Sequence, residues 1–283
     1  MIKPSSNKPL LKSDLNNLPI GVFDSGLGGL TVVKQIFSRL PNESILYFGD
    51  TARVPYGSKS VHTVQKFSLQ IVRFLQEKGV KMIVVACNTA SSVALDVLKE
   101  STNLPVVGVI EPGARAARGV TVSRRVGVIG TTATISTGKY AEILKRIAPD
   151  IKVESAACPL LVPLVEEGWT DSPVTEEVAR IYLKPLIEKR IDTLILGCTH
   201  YPLIKKILQK VVDSDVRIVD TSVETAVDVE NILKEIGMLN TGTGKTCHQF
   251  YVSDFPQKFE EVADRFLGQS LPDVKRVSLD DPL

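Results

Sequence analysis

Short runs rich in valine and isoleucine recur along this 283-residue chain, and a helical pattern follows most of them. Alternating buried strands and amphipathic helices are typical of the α/β class, in which helices cover both faces of mainly parallel sheets. In such sheets ligands bind beyond the carboxyl ends of the strands, so the turns there are expected to carry the chemistry. Strands are predicted at 19–24, 44–50, 81–88, 105–111, 125–132, 152–159, 193–199 and 216–220, and helices at 30–40, 60–79, 174–190 and 201–212.

Three landmarks repeat along the chain at nearly the same distance. The GVFDSG segment at Gly21 has a counterpart in GVIGTT at Gly127, and a Val-Pro pair beginning at Val54 recurs 108 residues later. The VVACNT segment around Cys87 recurs as ILGCTH around Cys198, 111 residues later. The nearly constant offset predicts two similar, pseudo-symmetric α/β domains, with the active site in the cleft between them and one cysteine from each.

The predicted boundaries make the first domain discontinuous. It comprises residues 1–109 plus 222–283, and the second domain comprises residues 110–221. The breaks fall at the GVIEPG and DTS segments, which are natural crossover points between the halves. The helical pattern after the second break returns to the first domain, and the stretch from Gly242 onward shows no clear pattern.

Composition excludes several classes of protein. The net charge is +2 and no strongly basic block occurs, which argues against a dedicated nucleic-acid surface. No apolar run approaches the roughly 20 residues that a membrane-spanning helix needs. Residues 1–17 are polar and lack the apolar core of a signal peptide, so we expect a loose tail and a cytoplasmic protein. The four cysteines form no Cys-x-x-Cys pair and are expected to be reduced thiols.

Cys87 and Cys198 are the strongest candidates for catalysis. Each follows a strand-like run and precedes a helix-compatible segment, so both thiols are expected at strand ends near helix N-termini. The exposed N–H groups and positive dipole end of a helix favour a thiolate, which predicts a useful thiolate fraction at neutral pH. The alternative is that both are small apolar core residues, since cysteine is among the most buried residue types.

Charged residues stand beside both cysteines. His200 lies two residues after Cys198 and is a candidate general acid or positioning group. A zinc site on this pair is a competing interpretation, but no second ligand pair stands nearby at metal-site spacing. Asp24 ends the first strand in a turn that could present Ser25 and backbone amides to a substrate carboxylate, or it is simply a turn residue. Glu166 or Glu167 could serve the Cys198 side as Asp24 serves the Cys87 side, or the pair is simply a solvated helix end.

Other candidate motifs give weaker evidence of function. The glycine-rich GLGGLT segment has Thr31 where a dinucleotide fingerprint needs its third glycine, and GTGKT has Leu239 where a P-loop needs its first. His62 and His248 have no partner pattern and are predicted to be ordinary surface residues. Hydroxyl groups at the strand ends suit recognition of a small zwitterion, namely those of Thr89, Ser91, Thr131, Thr132 and Thr199.

Seven segments together resemble the glutamate racemase family, within the aspartate/glutamate racemase superfamily. They are GVFDSGLGGLTV, GDTARVPYGSKS, ACNTAS, GVIEPG, GTTATI, CPLLVPLVEEG and GCTHYPLI, in this order from about Ile20 to Ser222. The resemblance implies a two-base mechanism without pyridoxal phosphate, other cofactor or metal. Cys87 would take the α-proton of D-glutamate and Cys198 that of L-glutamate.

The same resemblance implies the supporting residues and the partners. Asp24 would assist Cys87, while His200 and Glu166 would assist Cys198. Glutamate would be the small-molecule substrate, a homodimer the assembly, and supply of D-glutamate for peptidoglycan the role. Aspartate racemisation and a catalytically silent binding protein are the alternatives, and retention of both cysteines argues against the second. The implied substrate-binding residues are Asp24, Ser25, Tyr56, Gly57, Asn88, Thr89, Thr199 and His200, to which the strand-end hydroxyl of Thr131 is added.

Overall fold

A computed structural model describes residues 15–271 and 273–279; most of the predicted N-terminal tail therefore lies outside the described residues. Every strand predicted from the sequence is present, and each is shorter than predicted. The strands are β1 (Ile20–Asp24), β2 (Ile45–Gly49), β3 (Met82–Val85), β4 (Val106–Gly108), β5 (Arg125–Gly130), β6 (Lys152–Ala157), β7 (Thr193–Gly197), β8 (Arg217–Asp220), β9 (Gln249–Val252) and β10 (Val274–Arg276).

The helices lie between these strands, as the α/β pattern predicts. They are α1 (Leu30–Arg39), α2 (Val61–Glu77), α3 (Asn88–Val93), α4 (Leu95–Glu100), α5 (Ile110–Val120), α6 (Thr132–Ser136), α7 (Lys139–Ile147), α8 (Leu161–Glu166), α9 (Pro173–Glu188), α10 (Lys205–Val211), α11 (Thr221–Glu235) and α12 (Pro256–Leu267). Short 3-10 helices cover Tyr56–Ser58 and Tyr201–Ile204. The predicted strand at 105–111 ends at Gly108, because α5 begins at Ile110.

The strands form two sheets in which every pairing is parallel. One sheet has the order β10-β9-β2-β1-β3-β4 and the other has the order β6-β5-β7-β8. The run β2-β1-β3-β4 is thus repeated four strands later as β6-β5-β7-β8. This repetition confirms the predicted fold of two similar α/β halves, and it places Cys87 and Cys198 after corresponding strands, β3 and β7.

Burial explains why the strands could be read as apolar runs. All residues of β1, β2, β3 and β7 are buried, as expected when helices cover both faces of a parallel sheet. The exceptions are the edge strands β6, β8 and β10, most of whose residues are exposed or half-buried. The partition of strands supports the proposed domain division, because β5 to β8 all fall within residues 110–221. The boundaries themselves stay a prediction.

Helix α11 lies between the two halves. It packs against α1 of the first half and α5 of the second, so it does more than return the chain to the first domain. Two ion pairs accompany this packing: Arg39 with Glu230, and Arg115 with Asp228.

The C-terminal segment, which the sequence left unread, extends the first sheet by β9 and β10. His248, just before β9, is half-buried rather than an ordinary surface residue. Its Nδ1 accepts a hydrogen bond from the Ile45 N–H at 3.3 Å, and its ring centroid lies 4.4 Å from that of Phe37. His62 is exposed, as predicted.

Over residues 15–271 and 273–279, no helix has both the length and the apolar character needed to span a bilayer.

Candidate active site

A cavity of about 400 Å³ lies at the carboxyl ends of the strands, between the two halves. Both candidate cysteines line it, in the cleft where the sequence predicts an active site. Every other residue predicted for the site lines it too, with the exceptions of Asp24, Glu167 and Ser91. The Ser91 hydroxyl donates to the Val85 carbonyl instead. The lining residues are Ser25, Tyr56, Gly57, Asn88, Thr89, Thr131, Thr132, Glu166, Thr199 and His200.

Cys87 is the N-cap residue of α3, as its position after a strand predicts. Its Sγ accepts a hydrogen bond from the Ala90 N–H at 3.5 Å and donates one to Ser25 Oγ at 3.6 Å. Burial, followed by the charge of Asp24, nevertheless raises the pKa of Cys87 to about 12. The predicted thiolate fraction at neutral pH is therefore wrong for Cys87, because burial and a neighbouring carboxylate outweigh the helix N-terminus.

Asp24 is fully buried and does not line the cavity, so it is not placed to bind a ligand directly. Its Oδ2 accepts the Gly26 N–H at 2.9 Å, and the Thr199 hydroxyl donates to Oδ1 at 3.5 Å. Burial raises the pKa of this carboxyl, although His200 and the backbone N–H of Gly26 act in the opposite direction. Asp24 thus acts on Cys87 through its charge and through the turn that it holds.

Removing that charge is expected to make Cys87 more reactive. In Asp24→Asn the pKa of Cys87 falls, since the carboxylate is the second cause of its rise after burial. Each unit of the fall increases the thiolate fraction about tenfold. The measurement is the rate of iodoacetamide alkylation of Cys87, followed by mass spectrometry at mildly alkaline pH. Alkylation of the exposed Cys247 is the internal control, and an unchanged rate at Cys87 would contradict the assignment.

On the other side of the cavity, Cys198, His200 and Glu166 form a hydrogen-bonded chain. His200 Nδ1 lies 3.8 Å from Cys198 Sγ, and His200 Nε2 lies 3.0 Å from Glu166 Oε1. Burial alone would lower the pKa of His200, but its hydrogen bonds to Cys198 and Glu166 outweigh burial and raise the pKa to about 10. His200 is therefore an imidazolium at neutral pH and donates through both ring nitrogens.

The raised pKa of His200 predicts a loss of stability in alkaline solution. A group with a higher pKa in the folded than in the unfolded state stabilises the fold below the unfolded value. Because the pKa of His200 rises from 6.5 to about 10, its contribution is complete below pH 6.5 and is lost as the pH rises through 10. We expect the free energy of unfolding to fall over this range by on the order of a few kcal/mol. Urea titrations of wild type and His200→Gln test this, and parallel pH dependences would contradict it.

Asn88 presents an unpaired amide donor in the cavity wall. Its Oδ1 accepts a hydrogen bond from the Tyr140 hydroxyl at 2.7 Å, whereas its buried Nδ2 has no hydrogen-bond partner among the described residues. A buried donor without a partner costs free energy, so such an atom points to a ligand acceptor. Sequence reasoning found Asn88 but missed Tyr140, which comes from the other half and fixes the orientation of the amide.

Tyr56 lines the cavity, and its hydroxyl is hydrogen-bonded to Asp50. The hydroxyl donates to the buried carboxylate of Asp50, which also accepts from Arg53 and Ser253. Asp50 therefore holds the loop that carries Tyr56 and Gly57 against the cavity. Apart from the position of Asp50 at the end of a predicted strand, no feature of the sequence indicates this role.

The two halves meet closely around the cavity. Thr89 and Thr131 share a hydrogen bond of 2.9 Å between their hydroxyls, and Thr31 donates to the Thr199 carbonyl at 3.1 Å. A side chain at Gly57 would lie 3.0 Å from the Cβ of Thr131, so the glycine permits this approach. Across residues 15–271 and 273–279, no three His, Cys, Asp or Glu side chains converge in the manner of a metal site.

Comparison with known proteins identifies the family to which this chain belongs. A model of the Asp/Glu/Hydantoin racemase family matches residues 20–229, which contain both cavity cysteines. The chain belongs to this family. Glutamate racemase from Geobacter metallireducens is 53% identical to this racemase over 261 residues, which cover 92% of this chain and 97% of the relative.

Solved structures agree with this racemase in fold. A crystal structure of glutamate racemase from Francisella tularensis in complex with D-glutamate matches it with a TM-score of 0.88 at 44% identity. That match covers 94% of this chain and 99% of the other. Aspartate racemase from Picrophilus torridus has a TM-score of 0.54 at 17% identity, covering 78% of this chain and 94% of the other, and so shares the fold alone. This racemase is accordingly an isomerase with the two-domain racemase architecture.

Proposed function

We propose that this racemase interconverts L- and D-glutamate by passing a proton between the two faces of the α-carbon. The observation that carries the proposal is the pair of thiols, Cys87 and Cys198, which line one cavity from corresponding strands of the two halves. Two such groups provide a base on one face and an acid on the other, so inversion needs no cofactor.

The protonated Cys87 thiol supports its role as the acid in one direction of the reaction. In the conversion of L- to D-glutamate, Cys198 takes the α-proton and Cys87 gives its own proton to the opposite face. The pKa of about 12 keeps a proton on Cys87 for this step. In the reverse direction the roles exchange, with Cys87 as base and Cys198 as acid. The α-carbon loses one proton to one thiol and gains one proton from the other, so the reaction is balanced.

Removal of the α-proton places negative charge on the α-carboxylate, which needs hydrogen-bond donors. Asn88 Nδ2 is such a donor, because its partner oxygen is held by Tyr140 and the amide nitrogen is unpaired among the described residues. The hydroxyls of Ser25, Thr89 and Thr199 line the same cavity. These groups surround the space in which a small diacid with one ammonium group would lie.

His200 and Glu166 support the Cys198 side. The imidazolium of His200 lies beside Cys198 Sγ and can return a proton to it or hold it in position. Glu166 stabilises the imidazolium through the hydrogen bond to Nε2. Asp24 has the corresponding place beside Cys87 but acts from outside the cavity. Its charge makes the Cys87 thiolate a stronger base once it forms.

Glutamate is favoured over aspartate by the relatives. Two proteins named glutamate racemase align with nearly the full chain at 44% and 53% identity, whereas an aspartate racemase at 17% identity shares only the fold. The deciding test incubates L-glutamate and L-aspartate separately in D₂O without added cofactor. We expect α-deuterium incorporation and inversion to proceed together for glutamate. Activity on aspartate alone, or on neither acid, would overturn the proposal.

Assembly, compartment and role follow from the same proposal. Homodimerisation remains part of it and is measured by light scattering of the purified protein. The cytoplasm is the proposed compartment, because a mechanism based on two free thiols requires reducing surroundings. Provision of D-glutamate for peptidoglycan is the proposed role, and depletion of the protein in its host with rescue by added D-glutamate tests it.

A further inference from the structure

Helix α12 lies outside residues 20–229, the part of the chain that the family model matches, yet it touches the Cys198 side of the site. We propose that Arg265 and Phe266 of this helix position His200 and Glu166. They would thereby hold in place the hydrogen-bonded chain Cys198–His200–Glu166, which we call the relay. The inference rests on the proposed function, because it assigns the relay a role in racemisation.

The first contact is between rings. Phe266 is buried, and its ring centroid lies 5.4 Å from that of His200 at an interplanar angle of 89°. Edge-to-face packing at this distance restricts the orientation of the imidazole. The ring must keep one orientation to reach Cys198 through Nδ1 and Glu166 through Nε2 at the same time.

The second contact is to the backbone of Glu166. Arg265 Nη1 donates to the Glu166 carbonyl at 2.9 Å. This carbonyl belongs to the last residue of α8, where carbonyl groups have no partner within the helix and a positive charge is favourable. Arg265 therefore fixes the end of the helix from which the Glu166 side chain extends.

The site has been shaped for that arginine. Gly168, in the turn after α8, has a φ of +80°, and a Cβ there would lie 2.7 Å from Arg265 Nη1. A residue with a side chain at this position would displace the guanidinium. The Glu166 side chain is 35% exposed, so burial does not hold it against His200, and the fixed backbone has to do so.

Helix α12 is itself anchored in the first half. It connects β9 with β10 and packs against α1, and Phe259 on the same helix packs on Tyr47 of β2 with ring centroids 5.9 Å apart. Arg265 and Phe266 consequently couple the first half to a relay that belongs to the second. This coupling holds the Cys198 side of the site in a fixed position relative to the Cys87 side.

Titration of His200 is the decisive measurement, because it reports the relay directly and does not depend on turnover. The chain has three histidines, so NMR of histidine-labelled protein resolves each, and His200→Gln assigns the signal. The hydrogen bond to Glu166 is among the causes that raise the pKa of His200. We expect Arg265→Met and Phe266→Leu to lower its titration midpoint by about one unit.

Two matched variants on the same helix are the controls. Lys258→Met removes an exposed cation, as Arg265→Met does, and Phe259→Leu removes a buried ring, as Phe266→Leu does. In the described part of the chain no hydrogen bond, ion pair or ring contact joins either residue to His200 or Glu166, so the His200 midpoint is expected to stay at the wild-type value. Phe259→Leu should lower the melting temperature about as much as Phe266→Leu.

Kinetics complete the test. We expect kcat/KM for glutamate to fall about tenfold in Arg265→Met and Phe266→Leu, a part of what a positioned general acid contributes. Arg265→Lys should recover much of the loss, because it retains a cationic donor. An unchanged His200 midpoint in both variants, with melting temperatures lowered as in the controls, would show that α12 only stabilises the fold. A wild-type protein that does not racemise glutamate would refute the proposed function, and the His200 titration would still decide the positioning.

Discussion

Cys87→Ala and Cys198→Ala are each expected to lower the rate of glutamate racemisation by about a thousandfold or more. Each substitution removes the thiol that delivers or takes a proton on one face of the α-carbon, and such groups typically contribute factors of this size. The two variants should differ in the enantiomer whose α-hydrogen they still exchange with solvent. That difference tests the assignment of each thiol to one enantiomer.

Hydrogen exchange in D₂O reveals the difference. In Cys87→Ala, Cys198 can still take the α-proton of L-glutamate and return deuterium to the same face. We therefore expect L-glutamate to exchange without inversion and D-glutamate not to exchange. In Cys198→Ala the pattern is reversed, with exchange of D-glutamate alone. Proton NMR of the α-position, with each enantiomer supplied separately, measures both.

Cys158→Ala is the matched control for these variants. Cys158 is buried as deeply as the other two, but it does not line the cavity, and its Sγ lies 3.6 Å from the Ala156 carbonyl. This variant is expected to racemise glutamate at the wild-type rate. Full activity in Cys87→Ala or Cys198→Ala would rule out a mechanism with two thiols, whatever the control shows.

Much of the fold could be predicted because parallel strands buried on both faces are visible in the sequence as continuous apolar runs. The repeated distance from Val54 to Val162 and from Cys87 to Cys198 reflects the repeated strand order of the two halves. The short final strands β9 and β10 are not visible in this way. They add to the edge of an existing sheet and have few residues from which a pattern could be read.

The composition of the site was predictable, but its electrostatics were not. Position after a strand placed both cysteines at the cavity correctly. The protonation of Cys87 depends on how deeply it is buried and how close Asp24 lies, and neither follows from chain position. Tyr140 and Asp50 were missed for a related reason. Each acts through a partner, Asn88 or Tyr56, that only the packing of the fold reveals.

Gly28→Ala is the other substitution with a large expected effect, although Gly28 carries no chemistry of its own. A Cβ at this position would lie 2.1 Å from Thr199 Oγ1 and 2.7 Å from His200 Nδ1. Both distances are below any tolerable contact, and neither atom is the far end of a long, flexible side chain that could move aside at little cost. The added methyl group must therefore displace His200 from Cys198, since Nδ1 is the atom that faces the sulfur.

Displacement of a catalytic group by about 1 Å can cost about a hundredfold in rate, so kcat/KM for glutamate should fall by about this factor in Gly28→Ala. The fall must be equal in both directions, because L- and D-glutamate have the same free energy and the equilibrium constant cannot change. Gly119→Ala is the matched control: Gly119 is exposed on α5 and a Cβ there meets no atom within 4 Å. Alanine is the better helix former by about 0.5–1 kcal/mol, so this control should be slightly more stable and fully active. A Gly28→Ala variant with wild-type kcat/KM would mean that the first half can retreat from His200 without cost, and that close contact between the halves is not what holds the relay in place.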